Sequence, residues 1–141
     1  MGTISKNFSY MEFEASDKAD EKGICNVITS FEVRDAIKAL VDTVLQPLRD
    51  AWGKPLHINS GYRCPELNKA VGGVPTSAHQ YGQAADVACD KPVELARLAA
   101  AMHLPYDQMI LYPTFVHFSH RLNGQQRGQI LYNKSYKGEK V

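Results

Sequence analysis

The spacing of apolar side chains predicts one long helix in the N-terminal half of the chain. Apolar positions recur at helical intervals after a candidate N-cap at Thr29 or Ser30 and continue to about Trp52. They are Val33, Ile37, Leu40, Val41, Val44, Leu45, Leu48 and Trp52. Pro47 lies inside this pattern and lacks the N–H that an interior turn requires, so we expect a kink near Val44.

Shorter patterns predict the remaining elements. A small amphipathic helix is expected over residues 8–16, with Ser9 as its cap. Further along we expect a strand at 56–60, a helix at 65–71, a strand at 83–88, a helix at 92–102 and strands at 107–111, 115–119 and 128–132. Helices followed by closely spaced strands favour an α+β fold with a small antiparallel sheet packed against the N-terminal helices.

Composition supports a single compact domain over residues 1–141, with a core from about 8 to 132. Hydrophobic residues make up 44% and charged residues 22% of the 141 positions, values typical of soluble globular proteins. Sixteen basic residues oppose fifteen acidic ones, and the net charge of +1 includes no long run of one sign. We therefore expect no nucleic-acid partner, and we expect a monomer.

The cysteines and the N-terminal segment indicate where the chain resides. Cys25, Cys64 and Cys89 are few and widely spaced and form no C-x-x-C pair, so we expect reduced thiols that are neither disulfide partners nor metal ligands. The first sixteen residues have no apolar stretch typical of a signal peptide, and no segment is long and apolar enough for a membrane span. The sequence predicts a protein that is cytoplasmic as synthesised.

A polar loop and two strands bring metal-binding side-chain types together. His79 lies in the loop that precedes the predicted strand of Asp86, and Ala84 and Ala88 share the strand face of that carboxylate. His117 interrupts an apolar strand and can meet Asp86 across a ladder. Two imidazoles and one carboxylate with a free fourth position form the arrangement of a catalytic zinc site.

Each of these residues also has an ordinary structural interpretation. A histidine in a strand is usually a core or surface residue, which applies to His117 as well as to His57, His103 and His120. Asp86 would be an unusual turn or capping residue inside an apolar strand, because an unpaired buried charge is strongly disfavoured. Spacing by itself leaves both the metal site and the structural interpretation open.

The segment 60–87 resembles the signature of the M15 family of zinc D-Ala-D-Ala carboxypeptidase-like peptidases, which share a fold with lysostaphin-type and hedgehog-type metalloproteins. The pattern S-x-H-x-x-G-x-A-x-D is matched at each fixed position, by Ser77, His79, Gly82, Ala84 and Asp86. The similarity extends over the preceding helix and strand and over residues 106–120, so it covers most of the chain from about 8 to 132.

The resemblance implies functions for individual residues. It implies Zn²⁺ bound by His79, Asp86 and His117, and a substrate contact by Arg63 in the S-G-Y-R segment, with peptidoglycan stem peptides as substrates. Arg63 can alternatively be a surface residue paired with Glu66. Ser77 either donates a hydrogen bond to the substrate or stabilises the loop.

The general base is where the chain departs from the family. Members commonly carry an acidic residue shortly before the third zinc ligand, whereas residues 110–116 contain no carboxylate. Asp107 and His120 are the remaining candidates, although simple strand alternation directs neither to the site. Tyr112 stands where the acid would be, and a phenol is a poor base near neutral pH.

Two functions therefore remain open. The first is a zinc peptidase that cuts stem peptides, as a carboxypeptidase or as an endopeptidase. The alternative is a non-catalytic zinc-holding module, for example a wall-binding or phage-structural domain that has lost its base. The site of action is also open, with association with a phage or release to the cell wall as further expectations.

Overall fold

Seven strands and six α-helices make up a computed structural model that describes residues 2–141. The elements before the long helix are β1 (Thr3–Ser5), β2 (Phe8–Ser9), α1 (Tyr10–Glu14) and α2 (Asp17–Lys22). They are followed by α3 (Phe31–Leu40), a π-helical segment (Val41–Leu45), α4 (Gln46–Trp52), β3 (His57–Ser60), α5 (Pro65–Ala70) and a 3₁₀ helix (Ala78–Tyr81). The last are β4 (Ala84–Ala88), α6 (Pro92–Ala101), β5 (Gln108–Leu111), β6 (Phe115–Ser119) and β7 (Gln129–Tyr132).

The long helix forms as predicted, and it accommodates its proline by widening. The helix runs through α3, the π-helical segment and α4, with Ser30 as the N-cap whose hydroxyl accepts a hydrogen bond from the Val33 N–H. Within the π segment the N–H of Gln46 bonds to the carbonyl of Val41, five residues earlier. Pro47 cannot donate to the turn before it, so a local change of hydrogen-bond spacing is an expected response. The deviation begins at Val41 and includes Val44, where the sequence predicts a kink.

A five-stranded sheet in the order β3-β4-β6-β5-β7 follows the long helix, and the predicted α+β class is confirmed. β3, β4, β6 and β5 pair antiparallel, whereas β7 pairs parallel to β5. The sequence predicts an antiparallel sheet throughout, because its strands are closely spaced. The connection after β6 instead carries the chain across to the far side of β5, so β7 runs in the same direction as β5.

The two faces of the sheet have different environments. One face carries fully buried side chains that join the apolar stripe of the long helix in a single core. These sheet residues are Ala85, Val87, Met109, Leu111, Val116 and Phe118. Asp86 and His117 alternate with them and lie on the opposite, partly open face. The period of two residues along each strand thus separates the core from the candidate site.

The N-terminal segment contacts residues 61–64, a short strip of chain that follows β3 and carries Arg63. The predicted helix at 8–16 is shorter, and Ser9 begins it with its N–H bonded to Glu12 Oε1 at 3.0 Å. Sequence patterns do not indicate α2 or the small β1–β2 pair. A Cβ at Gly61 would stand 2.6 Å from Phe13 Cδ2, so α1 and residue 61 approach each other as only glycine permits. None of the helices within residues 2–141 combines the length and the apolar character that a bilayer crossing requires.

Candidate metal centre

Three metal-binding side chains converge on the open face of the sheet. Asp86 and His117 are direct partners in the β4–β6 register, and His79 enters from the 3₁₀ helix that precedes β4. His117 Nδ1 lies 2.8 Å from Asp86 Oδ1, and His79 Nε2 lies 3.4 Å from the same oxygen. One potential ligand atom from each residue lies within 4.8 Å of the other two. Within residues 2–141 this is the one His, Cys, Asp or Glu group that could hold a metal ion.

A backbone carbonyl determines which nitrogen His79 presents to this group. His79 Nδ1 lies 2.7 Å from the carbonyl oxygen of Gly61, and the residue is 2% exposed. A carbonyl accepts only, so Nδ1 carries the proton and Nε2 keeps a free lone pair directed at Asp86. The buried imidazole is thereby oriented as a metal ligand requires.

The turn between His79 and Asp86 depends on Gly82. Its φ is +70°, and a Cβ at this position would stand 2.6 Å from the carbonyl oxygen of Val33 in α3. Both the left-handed conformation and the close approach require glycine. The long helix therefore supports the loop that presents His79.

The carboxylate of Asp86 remains charged although its side chain is only 16% exposed. Burial by itself raises the pKa of Asp86, but the hydrogen bond from His117, with a further contribution from the nearby His79, outweighs it and holds the pKa well below its usual range. The donor set of two imidazoles and one carboxylate suits a borderline cation such as zinc. The described residues therefore fit a three-ligand metal centre.

Arg63 lies beside the group on the Asp86 side. Its backbone N–H donates to the His79 carbonyl at 3.1 Å, and its side chain lines a cavity of about 330 Å³ together with Asp86. The Nε atom is buried and has no hydrogen-bond partner among the described residues. Burial lowers the pKa of Arg63, and the charge of Asp86 acts in the opposite direction. The salt bridges of residues 2–141 include none between Arg63 and Glu66, the pairing that the alternative interpretation requires.

Asn26, in the segment before the long helix, forms hydrogen bonds to the strip that carries Arg63. Sequence analysis does not identify this residue. Asn26 is 6% exposed. Its Nδ2 donates to the carbonyls of Tyr62 and Glu14 at 2.9 Å each, and its Oδ1 accepts from the Cys64 N–H at 2.8 Å. These bonds bracket Arg63 on both sides. An asparagine in a loop has no sequence signal for this role, because its partners lie 12 to 38 positions away.

A second cavity of about 400 Å³ lies on the His117 side of the group. Ser77 and His120 line it together with His117. The Ser77 hydroxyl accepts from the His79 N–H at 3.3 Å, which stabilises the loop, and substrate binding by this hydroxyl stays a prediction. His120 Nδ1 lies 2.8 Å from the Pro105 carbonyl, which places the proton on Nδ1 and leaves Nε2 as an acceptor.

Asp107, the other candidate base, is bound by two arginines. Arg127 donates to Oδ1 through its backbone N–H at 2.9 Å and its Nε at 3.0 Å, and to Oδ2 through Nη2 at 2.7 Å. Arg121 Nε lies 3.3 Å from Oδ2. The hydrogen bond from Arg127 lowers the pKa of Asp107 to about 2. This geometry favours a structural function that links β5 to the segment before β7.

We expect Asp107→Asn to lower the free energy of unfolding by about 1–2 kcal/mol at pH 7, because the pKa of Asp107 falls from 3.8 to about 2 and solvent screens its half-exposed arginine partners. The contribution is complete above the unfolded-state pKa and disappears as pH falls through the folded-state value. The difference between wild type and variant should therefore shrink between about pH 4 and pH 2. Chemical denaturation across this range is the measurement. Asp90→Asn, at an exposed residue 3.9 Å from Lys54, is the control and should change stability by less than about 0.5 kcal/mol. A constant difference at all pH values would contradict the ion-pair explanation.

Tyr112 stands near the group without supplying a base. Its ring stacks on Phe115 with centroids 4.3 Å apart. Burial raises the pKa of the Tyr112 phenol, and the charge of Asp86 raises it further, so the phenol stays protonated at neutral pH.

The sulfur of Cys64 accepts from the Leu67 N–H at 3.4 Å and caps α5. The prediction that all three cysteines stay reduced and unligated remains a prediction.

Comparisons with known proteins place this geometry in a family context. Residues 6–120 match the family model described as Peptidase M15. Over 125 residues, 86% of this chain, the sequence is 30% identical to the zinc D-Ala-D-Ala carboxypeptidase of Streptomyces albus G. The chain spans 47%, about half, of the length of that relative. The matched range of the family model includes His79, Asp86 and His117.

Proposed function

The chain belongs to the Peptidase M15 family, which confirms the resemblance found in the sequence, and we propose on that premise that it is a zinc peptidase of peptidoglycan stem peptides. The observation that carries the proposal is the convergence of His79, Asp86 and His117 between two cavities, one lined by His117 and the other by Asp86. The relative's name supports zinc as the metal and a cell-wall peptide as the substrate class.

The proposed ligands are His79 Nε2, an Asp86 oxygen and His117 Nδ1. The Gly61 carbonyl holds the first imidazole, and the register of β4 with β6 holds the other two side chains together. A bound zinc ion polarises an amide carbonyl and makes water acidic enough to act as a nucleophile near neutral pH. The rigid strands limit movement of the ligands during turnover.

Proton transfer is assigned to His120. Its Nδ1 donates to the Pro105 carbonyl, so Nε2 is the atom that accepts a proton from the attacking water and returns it to the leaving amine. Asp107 is the weaker candidate, because four donors already engage its two oxygens. Ser77 is assigned a hydrogen bond to the peptide backbone at the edge of the same cavity.

A second function has a specific observation in its favour. Residues 110–116 contain no carboxylate, and Asp107 is engaged by Arg127. A non-catalytic zinc module that binds wall peptides would retain the ligands and Arg63 but show no turnover. The two functions differ in the products of a digest.

The deciding experiment incubates purified sacculi and isolated muropeptides with the zinc-loaded protein and identifies products by mass spectrometry. New peptide termini that require zinc and disappear with a chelator support the peptidase, and their identity distinguishes a carboxypeptidase from an endopeptidase. Stoichiometric zinc with muropeptide binding but no new termini supports the binding module. Absence of both zinc and binding contradicts the two functions together.

For substrate binding we expect Arg63→Ala to retain stoichiometric zinc and to lose roughly ten- to a hundredfold in affinity or activity toward stem peptides. The guanidinium is a planar donor suited to a carboxylate, and a charged hydrogen bond contributes about 1.5–3 kcal/mol. Calorimetry and chromatographic assays measure the two quantities. Arg97→Ala, at a half-exposed residue of α6 paired with Glu139, is the matched control. Equal values for wild type and Arg63→Ala would assign Arg63 a purely structural function.

A further inference from the structure

The two cavities beside the candidate metal centre each contain arginine. Arg63 lines the cavity on the Asp86 side, whereas Arg121 and Arg127 line the larger cavity on the His117 side. A peptide that crosses the centre would therefore meet a guanidinium on both sides of the bond presented to the metal. Arg121 and Arg127 have no role in the function proposed above.

The wall of the larger cavity carries excess positive charge. Among residues 2–141, Asp107 is the one acidic residue that lines it, and the Asp107 side chain is 5% exposed. Both of its oxygens accept hydrogen bonds from Arg127, and one lies 3.3 Å from Arg121 Nε. Two guanidinium groups thus oppose one carboxylate, which leaves a surplus of one positive charge at the cavity.

Arg121 is positioned before any ligand arrives. The backbone N–H of Arg121 donates to Gln126 Oε1, and Gln126 Nε2 donates to the backbone carbonyl of Arg121, both at 2.8 Å. Asp107 contacts the Nε end of the guanidinium, and the side chain is 41% exposed. The terminal nitrogens of Arg121 make no hydrogen bond within residues 2–141, so the outer edge of the fork can receive a second carboxylate. A guanidinium group that is already held in position loses less conformational entropy when it binds a ligand.

We propose that Arg121, supported by Asp107 and Arg127, forms a second carboxylate subsite on the His117 side of the metal centre. The ligand class is a peptide that has one carboxylate for Arg63 and another for Arg121, on opposite sides of the scissile amide. The identity of that peptide as a wall stem peptide rests on the proposed function. The subsite itself rests on the cavity and its charge.

The peptide experiment uses the zinc-loaded protein and a stem-peptide series in which each carboxylate is converted in turn to a carboxamide. We expect one amide to raise the KM, or the Kd if there is no turnover, about tenfold for wild type, as for one partly exposed charged hydrogen bond. Arg121→Gln should raise the KM or Kd about tenfold for the peptide with all its carboxylates. For the peptide whose amide weakens binding to wild type, Arg121→Gln should cause no further increase. Arg121→Lys should recover part of the loss, and Arg97→Gln should behave as wild type.

The outcomes separate the subsite from the proposed function. If wild type binds or cuts the peptides and Arg121→Gln changes no KM or Kd, the subsite is wrong and the proposed function stands. If wild type neither binds nor cuts any stem peptide, the proposed function is wrong. The subsite is then decided by a probe that does not depend on the peptide.

That probe is succinate, a simple dicarboxylate. Protein labelled with ¹⁵N-arginine is titrated with succinate while the Nε–H resonances are followed by NMR. Saturable shifts of the Arg121 and Arg127 signals, lost in Arg121→Gln and unchanged in Arg97→Gln, support a carboxylate subsite. Shifts that are absent, or that grow linearly to the highest concentration, overturn it.

Discussion

His117→Ala should lose stoichiometric zinc, and its activity on stem peptides should fall by at least about a thousandfold. The substitution removes one of three proposed ligands, and the proposed peptidase reaction depends on the chemistry that a bound metal would supply. His117 lies on the open face of the sheet, opposite the buried side chains of Val116 and Phe118, so the core should remain intact. Elemental analysis, circular dichroism and the muropeptide assay measure the three quantities.

The control for this experiment is His57→Ala, at an exposed residue of β3 that is not part of the ligand group. It should retain zinc and activity. His79→Ala should also lose zinc, with some loss of stability because the His79 imidazole is buried and bonds to Gly61. Full zinc content in folded His117→Ala would show that the ligand assignment is wrong.

Asn26→Ala should lower the free energy of unfolding by about 3 kcal/mol. The substitution leaves the Cys64 N–H and the carbonyls of Tyr62 and Glu14 without their partner in a partly buried position, and an unsatisfied buried group costs about 1–3 kcal/mol. The strip that carries Arg63 should then be less well positioned. We expect zinc content to be retained while kcat/KM falls about tenfold.

Denaturation measures the first effect, and kinetics at a temperature where the variant is folded measure the second. Asn7→Ala is the matched control, because Asn7 is exposed and, in the part of the chain that the structure describes, its side chain bonds to Gln46 alone. It should change the free energy of unfolding by less than about 1 kcal/mol. A destabilised Asn26→Ala with unchanged kinetics would assign Asn26 to stability alone.

The main elements could be predicted because their signals are local. The apolar stripe from Val33 to Trp52, the cap at Ser30 and the alternation along β4 and β6 need no knowledge of distant contacts. The period of two predicted that Asp86 shares a strand face with Ala84 and Ala88, and in the structure this face is opposite the buried side chains of Ala85 and Val87. The S-x-H-x-x-G-x-A-x-D spacing similarly indicated the family that the comparisons support.

The parallel pairing of β7 could not be predicted from periodicity. A strand has the same alternation in either direction, so its partner depends on where the preceding loop takes the chain. Here that path is held by Asp107, which binds Arg127 and whose carbonyl accepts from the Gln129 N–H at 3.0 Å. The same contacts explain why Asp107, a carboxylate and therefore a candidate general base, is instead bound to Arg127.

The long helix, the five strands of the main sheet and the three residue types of the candidate metal centre were predictable from local periodicity and motif spacing, and the family was predictable from the resemblance of its motif. The tautomer of His79, which depends on the Gly61 carbonyl, and the support of the Arg63 segment by Asn26 became clear only from the packed chain. The same is true of the pairing of Asp107 with Arg121 and Arg127. Hydrogen bonds between residues distant in the chain have no sequence period, so they become visible only when the packed chain brings donor and acceptor together.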